Sequence, residues 1–451
     1  MSTLSIVILA AGNGTRMKSQ LPKVLIPLAG KPMLQHVLDQ AALLQPNKII
    51  LVHQKKHLDV LRHHLTIPHQ TKWVEQHNPT GTADAVACAL PMIETDKTLI
   101  LYGDVPLIPS HLMAELATTC QSAMFLTHIH EQPFGFGRII RNEHHFIQRI
   151  VEEKDATEEE QSIQEIFTGI MCIKSDLLFK YLPHINNKNA QQELYLTDLA
   201  SLCPNSEASI CDTKMWISGV NSKPQLVALE RAYQRSLAEQ LLDEGVHILD
   251  PDRIDIHGSL SCSADTIIEP NVMIKGQVSI GSHCTIETGV VLNNVSIGNG
   301  VTIKAHSVVT DSTIGHHVSI GPFAHLRPGN IINDHVKIGN FVEVKQTTMG
   351  QGSKAKHLAY LGNCTMGQSV NIGAGTITCN YDGLNKHDTL IGDQAFIGCN
   401  TAMIAPVVIG QKATIGAGSV ITHDADENTL TLSRSKQISV PGWIRKKDKS
   451  Q

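Results

Sequence analysis

Short apolar runs alternate with longer amphipathic segments over residues 1 to about 220. The runs IVILAA, KIILVH, TLILYG and SAMFLTHI have the length and composition of buried strands. Between them, segments such as PMLQHVLDQAALL place apolar residues at helical spacing. This alternation predicts an α/β fold with a mainly parallel sheet, in which ligands gather at the carboxyl ends of the strands.

One longer helix is predicted after residue 221. Ser222 stands at its cap position and Pro224 lies just inside its first turn. Apolar residues then recur at steps of three or four, namely Leu226, Leu229, Tyr233, Leu237 and Leu241. Gly245 is the stop signal. We predict a linker helix within residues 222–246 and assign its apolar face to packing.

The pattern changes completely after about residue 250. Aliphatic residues recur there at steps of five or six, which fits neither the helical period of about 3.6 nor the strand period of about two. The positions are Ile268, Ile274, Ile280, Ile286, Leu292, Ile297, Ile303, Val309, Ile314, Ile320, Leu326, Ile391, Ile397, Met403, Ile409, Ile415 and Ile421. This spacing predicts a solenoid of hexapeptides, a parallel β-helix with one inward aliphatic side chain per wall.

Two segments interrupt this repeat. The first, GQGSKAKHLAYLGNCT, lies between Met349 and Met366, and the second, CNYDGLNKHDTL, lies between Thr378 and Ile391. Insertions in a solenoid become loops on one face, which is commonly the binding face. We therefore predict two loops that carry function.

Composition narrows the possible partners. The chain has 451 residues, 42% of them hydrophobic, and a formal net charge of −5, which favours a globular protein without general attraction to nucleic acid or anionic membranes. Its ten cysteines form no CxxC pair and no regular framework, which indicates a reducing compartment. No apolar run approaches the roughly 20 residues of a membrane span. We expect a cytoplasmic location without membrane insertion.

The opening stretch SIVILAAGNGTRMKSQLPK contains a candidate phosphate site. It lacks the Walker A pattern, and Gly12 and Gly14 lack the third glycine of a dinucleotide-binding fingerprint. Backbone N–H groups in such a turn approach phosphates closely, and Arg16 and Lys23 would neutralise them. The alternative is a tight strand-to-helix turn flanked by solvated bases.

This stretch resembles the signature of sugar-phosphate nucleotidyltransferases. Together with the hexapeptide half, residues from Ile6 to about Arg434 resemble the bacterial bifunctional family of N-acetylglucosamine-1-phosphate uridylyltransferases and glucosamine-1-phosphate N-acetyltransferases. The resemblance implies a nucleotidyltransferase domain over residues 1–221, the linker helix over 222–246, and a left-handed parallel β-helix over 247–451. It also implies a homotrimer with the acetyl-transfer site between subunits, UTP and acetyl-CoA as co-substrates, and Mg²⁺.

For the first domain, the resemblance implies contacts to UTP and to the sugar nucleotide, with Lys23 and Arg16 at the phosphates and Asp104 and Asn221 at the metal. The matching positions are Leu9, Ala10, Ala11, Gly12, Lys23, Gln76, Gly81, Thr82, Tyr102, Gly103, Asp104, Gly137, Glu152, Phe167 and Asn221. An aspartate at a strand's carboxyl end suits Mg²⁺, which takes oxygen ligands beside substrate phosphates.

Phe167 departs from the family. The family has Glu-Ile-Asn-Thr-Gly where this chain has EIFTG from Glu165 to Gly169, and the family's asparagine is a sugar contact. Phenylalanine cannot replace the hydrogen bonds of that side chain. We expect weaker uridylyl transfer or an altered pose of the sugar.

For the second domain, the resemblance implies that His357 is the general base of acetyl transfer, a role that suits a group titrating near neutrality. Glu343 is a possible orienting residue, or a solvated acid. Glucosamine-1-phosphate contacts are implied at Arg327, Lys345, Tyr360, Asn371 and Lys386, and acetyl-CoA contacts at Ala374, Asn380, Tyr381, Cys399, Ala417 and Arg434. Two departures stand here: Cys399 replaces a usual serine, and Lys356 replaces a glycine beside His357.

Three hypotheses for function follow. The first is a bifunctional enzyme that makes UDP-N-acetylglucosamine for cell-envelope precursors. The second keeps only one active site, with the other domain as a regulatory or assembly module. The third is a non-catalytic scaffold, which the intact set of Gly14, Lys23, Asp104, Asn221 and His357 argues against.

Overall fold

The computed structural model describes residues 3–12 and 14–444. Its contacts divide the chain into two units, the first ending at Tyr233 and the second beginning at Gln234. Each unit has its own hydrophobic core. In the described part of the chain, no helix combines the length and the apolar character needed to cross a membrane.

The first unit is built on a nine-stranded sheet. Along its main path the strands are Glu207–Ile210, Ala123–Ile129, Glu165–Lys174, Lys97–Tyr102, Leu4–Leu9, Lys48–His53 and Thr71–Glu75, and the hairpin of Arg138–Arg141 and Ile147–Val151 joins the side of Glu165–Lys174. Leu4–Leu9 runs parallel to both of its neighbours, whereas Glu165–Lys174 is antiparallel to its own. The predicted mainly parallel α/β sheet is confirmed.

Helices cover both faces of this sheet. Ile6 and Ile8 pack into one core cluster while Val7 and Leu9 pack into another on the opposite face. A strand buried on both sides reads as a continuous apolar run, which is what SIVILAA shows. The α-helices of the unit are Met33–Leu43, Leu58–His64, Thr82–Ala89, Ser110–Thr119, Glu158–Gln161, Ser175–Tyr181, Leu199–Leu202 and Lys214–Ile217.

A 21-residue helix, Lys223–Asp243, spans the boundary between the two units. Its start has the predicted cap: the Ser222 hydroxyl oxygen accepts from the Gln225 N–H at 3.5 Å, and the Gln225 side-chain amide oxygen accepts in return from the Asn221 N–H at 2.9 Å. Gly245 adopts φ +91°, a left-handed conformation that favours glycine after a helix end.

The second unit is a parallel β-helix, with all predicted inward aliphatic side chains buried to 4% exposure or less. One wall is an eleven-stranded sheet: His247–Ile248, Ile267–Ile268, Thr285–Ile286, Thr302–Ile303, Ser319–Ile320, Lys337–Asn340, Lys354–His357, Asn371–Ile372, Phe396–Ile397, Thr414–Ile415 and Leu430–Thr431. Ile268 pairs with Ile286, and Ile286 with Ile303, so one coil takes three hexapeptides. The predicted β-helix is confirmed.

A fifteen-stranded sheet forms the remaining walls. Its strands are Ile254–Cys262, Val272–Ile280, Val291–Ile297, Val308–Ile314, His325–Leu326, Asn330–Ile332, Glu343–Lys345, Thr348–Met349, Tyr360–Gly362, Cys364–Met366, Ile377–Cys379, Thr389–Ile391, Ala402–Ile404, Val407–Ile409 and Val420–Ile421.

The prediction of a loop between Met349 and Met366 is wrong. Strands Lys354–His357, Tyr360–Gly362 and Cys364–Met366 continue the β-helix through this segment. Ala355 and Leu361, both 0% exposed, take the inward positions. The small alanine concealed the period, because the repeat was followed through larger aliphatic residues. The second interruption is a true excursion, and a bridge between Tyr381 and Lys386 closes it as a small hairpin.

Candidate active sites

A cavity of about 320 Å³ opens at the carboxyl ends of the central strands in the first unit. Its lining includes the predicted residues Leu9, Ala11, Gly12, Lys23, Gln76, Gly81, Thr82, Tyr102 and Asp104. Ala10 and Gly103 are buried in the strand ends beside it, where the Gly103 N–H donates to the Leu9 carbonyl at 2.9 Å. Sequence reasoning missed Val24, Pro79, Ala85 and Glu193, which also line the cavity. Gly137, Glu152, Phe167, Asn221 and Arg16 lie outside that lining.

Four of the predicted residues meet at one side of this cavity. The Lys23 ammonium forms an ion pair with the Asp104 carboxylate and donates to the Asn221 amide oxygen at 2.9 Å. Arg16 donates to the same Asn221 oxygen at 3.3 Å. The two side-chain oxygens therefore converge on a single cationic atom, although Lys23, Asp104 and Asn221 are far apart in sequence.

Glycine is required at two turns around the cavity. Gly14 adopts φ +59°, and a Cβ there would lie 2.5 Å from the Lys23 Cβ. Gly81 adopts φ +146°, and a Cβ would lie 2.3 Å from the Leu194 carbonyl oxygen. Beside it, the Gln76 amide donates to the Gly81 carbonyl at 3.3 Å and to the Asp84 carboxylate at 2.6 Å. The backbone here approaches its neighbours too closely for any larger residue.

Gly137 and Glu152 lie next to each other on the hairpin beside the sheet. A Cβ on Gly137 would be 3.7 Å from the Glu152 carboxylate. Burial raises the pKa of Glu152, although the Thr197 hydroxyl donates to it at 3.1 Å and opposes that shift. Thr197 was missed in the sequence, because it stands in an ordinary-looking stretch, YLTDLA.

The raised pKa gives a pH-dependent stability. The folded protein binds the Glu152 proton more tightly than the unfolded chain, so the ionised carboxylate destabilises the fold increasingly as the pH rises above the ordinary carboxyl range. We expect Glu152→Gln to raise the melting temperature at about pH 8 and to leave it nearly unchanged at about pH 4, where the wild-type group is already neutral. Calorimetry at both pH values measures this. The exposed Glu143→Gln is the control, and an equal shift for both variants would refute the expectation.

Phe167 is a core residue in this structure. Its side chain is 6% exposed and packs edge-to-face on Phe125, with ring centroids 5.6 Å apart. Its N–H donates to the Gly137 carbonyl at 2.8 Å, so its backbone supports the neighbouring hairpin. The effect on uridylyl transfer of having Phe167 in place of the family's asparagine stays a prediction.

Restoring the family's asparagine at this position should destabilise the protein. Phe167→Asn removes a buried ring and buries an amide, which we expect to lower the free energy of unfolding of the first unit by about 3–5 kcal/mol. Urea denaturation followed by circular dichroism measures the loss. Phe179 is 43% exposed, so Phe179→Asn is the matched control. Equal stabilities of the two variants would contradict the core assignment.

His357 ends a strand of the β-helix and is exposed. Its Nδ1 lies 2.9 Å from the Asn340 side-chain oxygen, which is an acceptor, so in the neutral imidazole Nδ1 carries the proton and the lone pair lies on Nε2. Asn340 lies one coil earlier, in register with His357. Sequence reasoning missed Asn340. The signal that could have found it is the coil length, because the two positions are separated by one coil of 17 residues.

Glu343 is paired with Arg327, and its orienting role toward His357 stays a prediction. Its carboxylate accepts from the Arg327 guanidinium at 2.9 Å, and Asn340 takes the position on His357. Arg327 and the neighbouring Lys386 belong to a cationic cluster with Lys345. The pKa of Lys345 is lowered chiefly by its interaction with the Lys386 side chain, with further contributions from burial and from the positive charge of Arg327. Such a cluster suits an anion with several oxygens.

The remaining predicted residues lie along successive coils. The Asn400 N–H donates to the Ala374 carbonyl at 2.7 Å, and the Gly418 N–H donates to the Cys399 carbonyl at 2.8 Å, so positions 374, 399 and 417 follow one edge of the β-helix. A Cβ on Gly416 would lie 3.8 Å from the Arg434 guanidinium, which places Arg434 at the same end. This edge offers an extended surface along the helix axis.

Asn380 and Tyr360 converge on one glycine. A Cβ on Gly362 would lie 2.5 Å from the Tyr360 hydroxyl and 2.9 Å from the Asn380 amide nitrogen. Tyr381 follows at the base of the hairpin, and Asn371 pairs in register with Lys354 and Phe396.

Models of known families match three parts of the chain. Residues 6–246 match the MobA-like NTP transferase domain, residues 256–348 match the GMPPB C-terminal domain, and residues 388–423 match six repeats of the bacterial transferase hexapeptide. The first match includes the cavity residues Lys23 and Asp104, and the last includes Cys399 and Ala417 on the edge of the β-helix described above.

Full-length relatives share both parts. A bifunctional protein GlmU of a Psychrobacter species is 48% identical over 99% of this chain and 99% of its own. The bifunctional protein GlmU of Marinobacter nauticus is 45% identical over 99% of this chain and all of its own, and that of Acinetobacter baylyi is 46% identical over 98% of each. These matches span both units of the chain. The chain belongs to the GlmU family, the bifunctional enzymes that acetylate glucosamine-1-phosphate with acetyl-CoA and then transfer uridylyl from UTP to the product.

Proposed function

We propose that the cavity with Lys23, Asp104 and Asn221 is the uridylyl-transfer site and that the His357 region is the acetyl-transfer site. The convergence of the Asp104 and Asn221 oxygens on the Lys23 ammonium carries the first assignment. The second is supported by the free Nε2 lone pair of His357 and the nearby cationic cluster.

The Asp104 and Asn221 oxygens fit Mg²⁺. They already hold one cationic atom, the Lys23 nitrogen, and both are hard oxygen donors. Among the described residues no group of three His, Cys, Asp or Glu side chains is suited to a metal, so phosphate oxygens and water would complete the coordination. When bound, Mg²⁺ neutralises charge on the triphosphate.

The chain's own residues then position UTP for in-line attack. Lys23 and Arg16 neutralise phosphate oxygens, the turn from Leu9 to Gly12 brings backbone close to the nucleotide, and Gln76 with Gly81 and Thr82 contact uracil. An oxygen of N-acetylglucosamine-1-phosphate forms a bond to the α-phosphorus of UTP as the bond to the β-phosphate oxygen breaks and pyrophosphate leaves. Tyr102 packs at the strand end, and Gly137, Glu152 and Asn221 contact the sugar nucleotide.

In the second site, His357 Nε2 accepts a proton from the amine of glucosamine-1-phosphate as the nitrogen attacks the thioester of acetyl-CoA. The new C–N bond forms, the C–S bond breaks and the thiol of coenzyme A leaves with a proton. Asn340 orients the imidazole through its 2.9 Å hydrogen bond. Arg327, Lys345 and Lys386 bind the sugar phosphate, assisted by Tyr360 and Asn371. The edge formed by Ala374, Cys399 and Ala417 accepts acetyl-CoA, with Arg434 at its phosphates and Asn380 and Tyr381 beside it.

We further propose a homotrimer formed through the β-helix. Phe323, Phe341 and Leu358 are 50%, 56% and 60% exposed, and the Phe323 and Phe341 rings stack with centroids 5.6 Å apart. This exposed apolar row begins next to His357 and is suited to burial between subunits. Sedimentation velocity tests the trimer, and a monomer at micromolar concentration would refute it.

The proposed domain ranges are 1–221 for uridylyl transfer, 222–246 for the linker helix and 247–451 for acetyl transfer. We also propose a cytoplasmic location without nucleic-acid or membrane partners, which agrees with the ten free cysteines of the described chain and with its net charge of −5.

Mass spectrometry of the products tests the whole proposal. Purified protein is incubated with glucosamine-1-phosphate, acetyl-CoA, UTP and Mg²⁺. UDP-N-acetylglucosamine is the expected product. Accumulation of N-acetylglucosamine-1-phosphate alone would instead confine activity to the β-helix and would leave the first cavity without its proposed reaction.

A further inference from the structure

The hairpin at residues 380–388 is held by one carboxylate. Asp382 Oδ1 accepts from the Leu384 N–H at 2.8 Å and from the Asn385 N–H at 2.6 Å. Asp382 Oδ2 lies 2.7 Å from His387 Nε2, and the two side chains form an ion pair when the histidine is protonated. The pKa of Asp382 is lowered chiefly by the bond to His387, followed by the two backbone N–H groups. The carboxylate therefore ties the turn to the returning arm of the hairpin.

The returning arm carries Lys386. Lys386 pairs with Tyr381 across the hairpin, and the His387 N–H donates to the Asn380 carbonyl at 2.8 Å. His387 is thus held from both its backbone and its ring, directly next to Lys386. The order along the arm makes the position of Lys386 dependent on the position of His387.

Lys386 is held close to other positively charged side chains, which repel it. Its side chain interacts with Lys345, whose pKa it lowers, and the positive charge of Arg327 lowers that pKa further. Repulsion among these like charges favours movement of the exposed hairpin away from the cluster unless a bound anion or a restraint holds it. The contact between Asp382 and His387 supplies such a restraint in the absence of ligand.

We infer that His387 is a positioning residue for acetyl transfer: through Asp382 it holds the hairpin so that Lys386 meets the phosphate of glucosamine-1-phosphate. This inference rests on the proposed glucosamine-1-phosphate site. His387 itself does not touch the reacting atoms. Its loss should therefore weaken substrate binding while the chemical step proceeds at its usual rate once the substrate is bound.

The test compares His387→Ala and His387→Gln in the full-length protein. For His387→Ala we expect KM for glucosamine-1-phosphate to rise about three- to fivefold, with kcat within about twofold of wild type. The expected effect is modest because the ion pair of His387 with Asp382 is partly exposed to solvent. Glutamine places an amide donor near the Nε2 position, so His387→Gln should recover most of the affinity. Exposed His423→Ala is the matched control, and uridylyl transfer by the same variants reports on the other site.

A further variant distinguishes failure of this inference from failure of the proposed glucosamine-1-phosphate site. Lys386→Ala should raise KM for glucosamine-1-phosphate more than His387→Ala does. If Lys386→Ala leaves KM unchanged, the proposed phosphate site is wrong. If Lys386→Ala raises KM but His387→Ala does not, or if glutamine fails to recover affinity, the positioning role of His387 is overturned.

Discussion

Replacing His357 by asparagine is expected to reduce acetyl transfer by about 10²- to 10⁴-fold while uridylyl transfer stays at the wild-type rate. Asparagine preserves a polar side chain that can still contact Asn340, but it offers no nitrogen lone pair that accepts a proton. Without the base, the amine must lose its proton to water as it attacks the thioester. The predicted loss therefore falls on kcat.

Two assays on one preparation measure this result. Release of the thiol of coenzyme A reports acetyl transfer, and release of pyrophosphate from UTP and N-acetylglucosamine-1-phosphate reports uridylyl transfer. His283 lies on the same β-helix with its side chain 71% exposed, so His283→Asn is the matched control. Retention of most acetyl transfer by His357→Asn would assign the base to another group, and loss of both activities would indicate general misfolding.

Asn340 shows what the sequence pattern alone could not supply. The resemblance points to His357, but the residue on its Nδ1 is set by the register between coils, and Asn340 and His357 pair because one coil takes 17 residues there. The same register identifies the segment after Met349 as a coil with Ala355 inside. A repeat followed through large aliphatic residues fails wherever a small residue occupies the wall.

In the first unit, the strands can be predicted from the sequence, but the meeting of the site residues cannot. Its strands are predictable because Ile6, Val7 and Ile8 are buried on alternating faces and form an unbroken apolar run. The meeting of Lys23 with Asp104 and Asn221 depends on tertiary contacts between distant segments, so the residues alone suggest only separate motifs. The burial of Phe167 against Phe125 likewise depends on strand pairing that composition does not reveal.

Replacing Asp104 by asparagine is expected to reduce uridylyl transfer by about 10²- to 10³-fold and to leave acetyl transfer unchanged. The variant keeps the shape of the side chain but removes the negative charge that pairs with Lys23. A neutral amide oxygen holds a divalent cation less tightly than a carboxylate does. The Mg²⁺ concentration that gives half-maximal rate should therefore rise together with the loss of rate.

Pyrophosphate release measured over a range of Mg²⁺ concentrations separates two explanations of the loss. If Asp104 holds the metal, saturating Mg²⁺ should restore part of the rate of Asp104→Asn, because occupancy is then limiting. If Asp104 serves only to orient Lys23, the rate stays low at every Mg²⁺ concentration, and Lys23→Ala should reproduce it. Asp59 is exposed on the same unit, so Asp59→Asn should leave both rate and Mg²⁺ dependence unchanged. An unaltered Mg²⁺ dependence in Asp104→Asn would therefore show that this carboxylate does not bind the metal. Its function would then be to pair with Lys23.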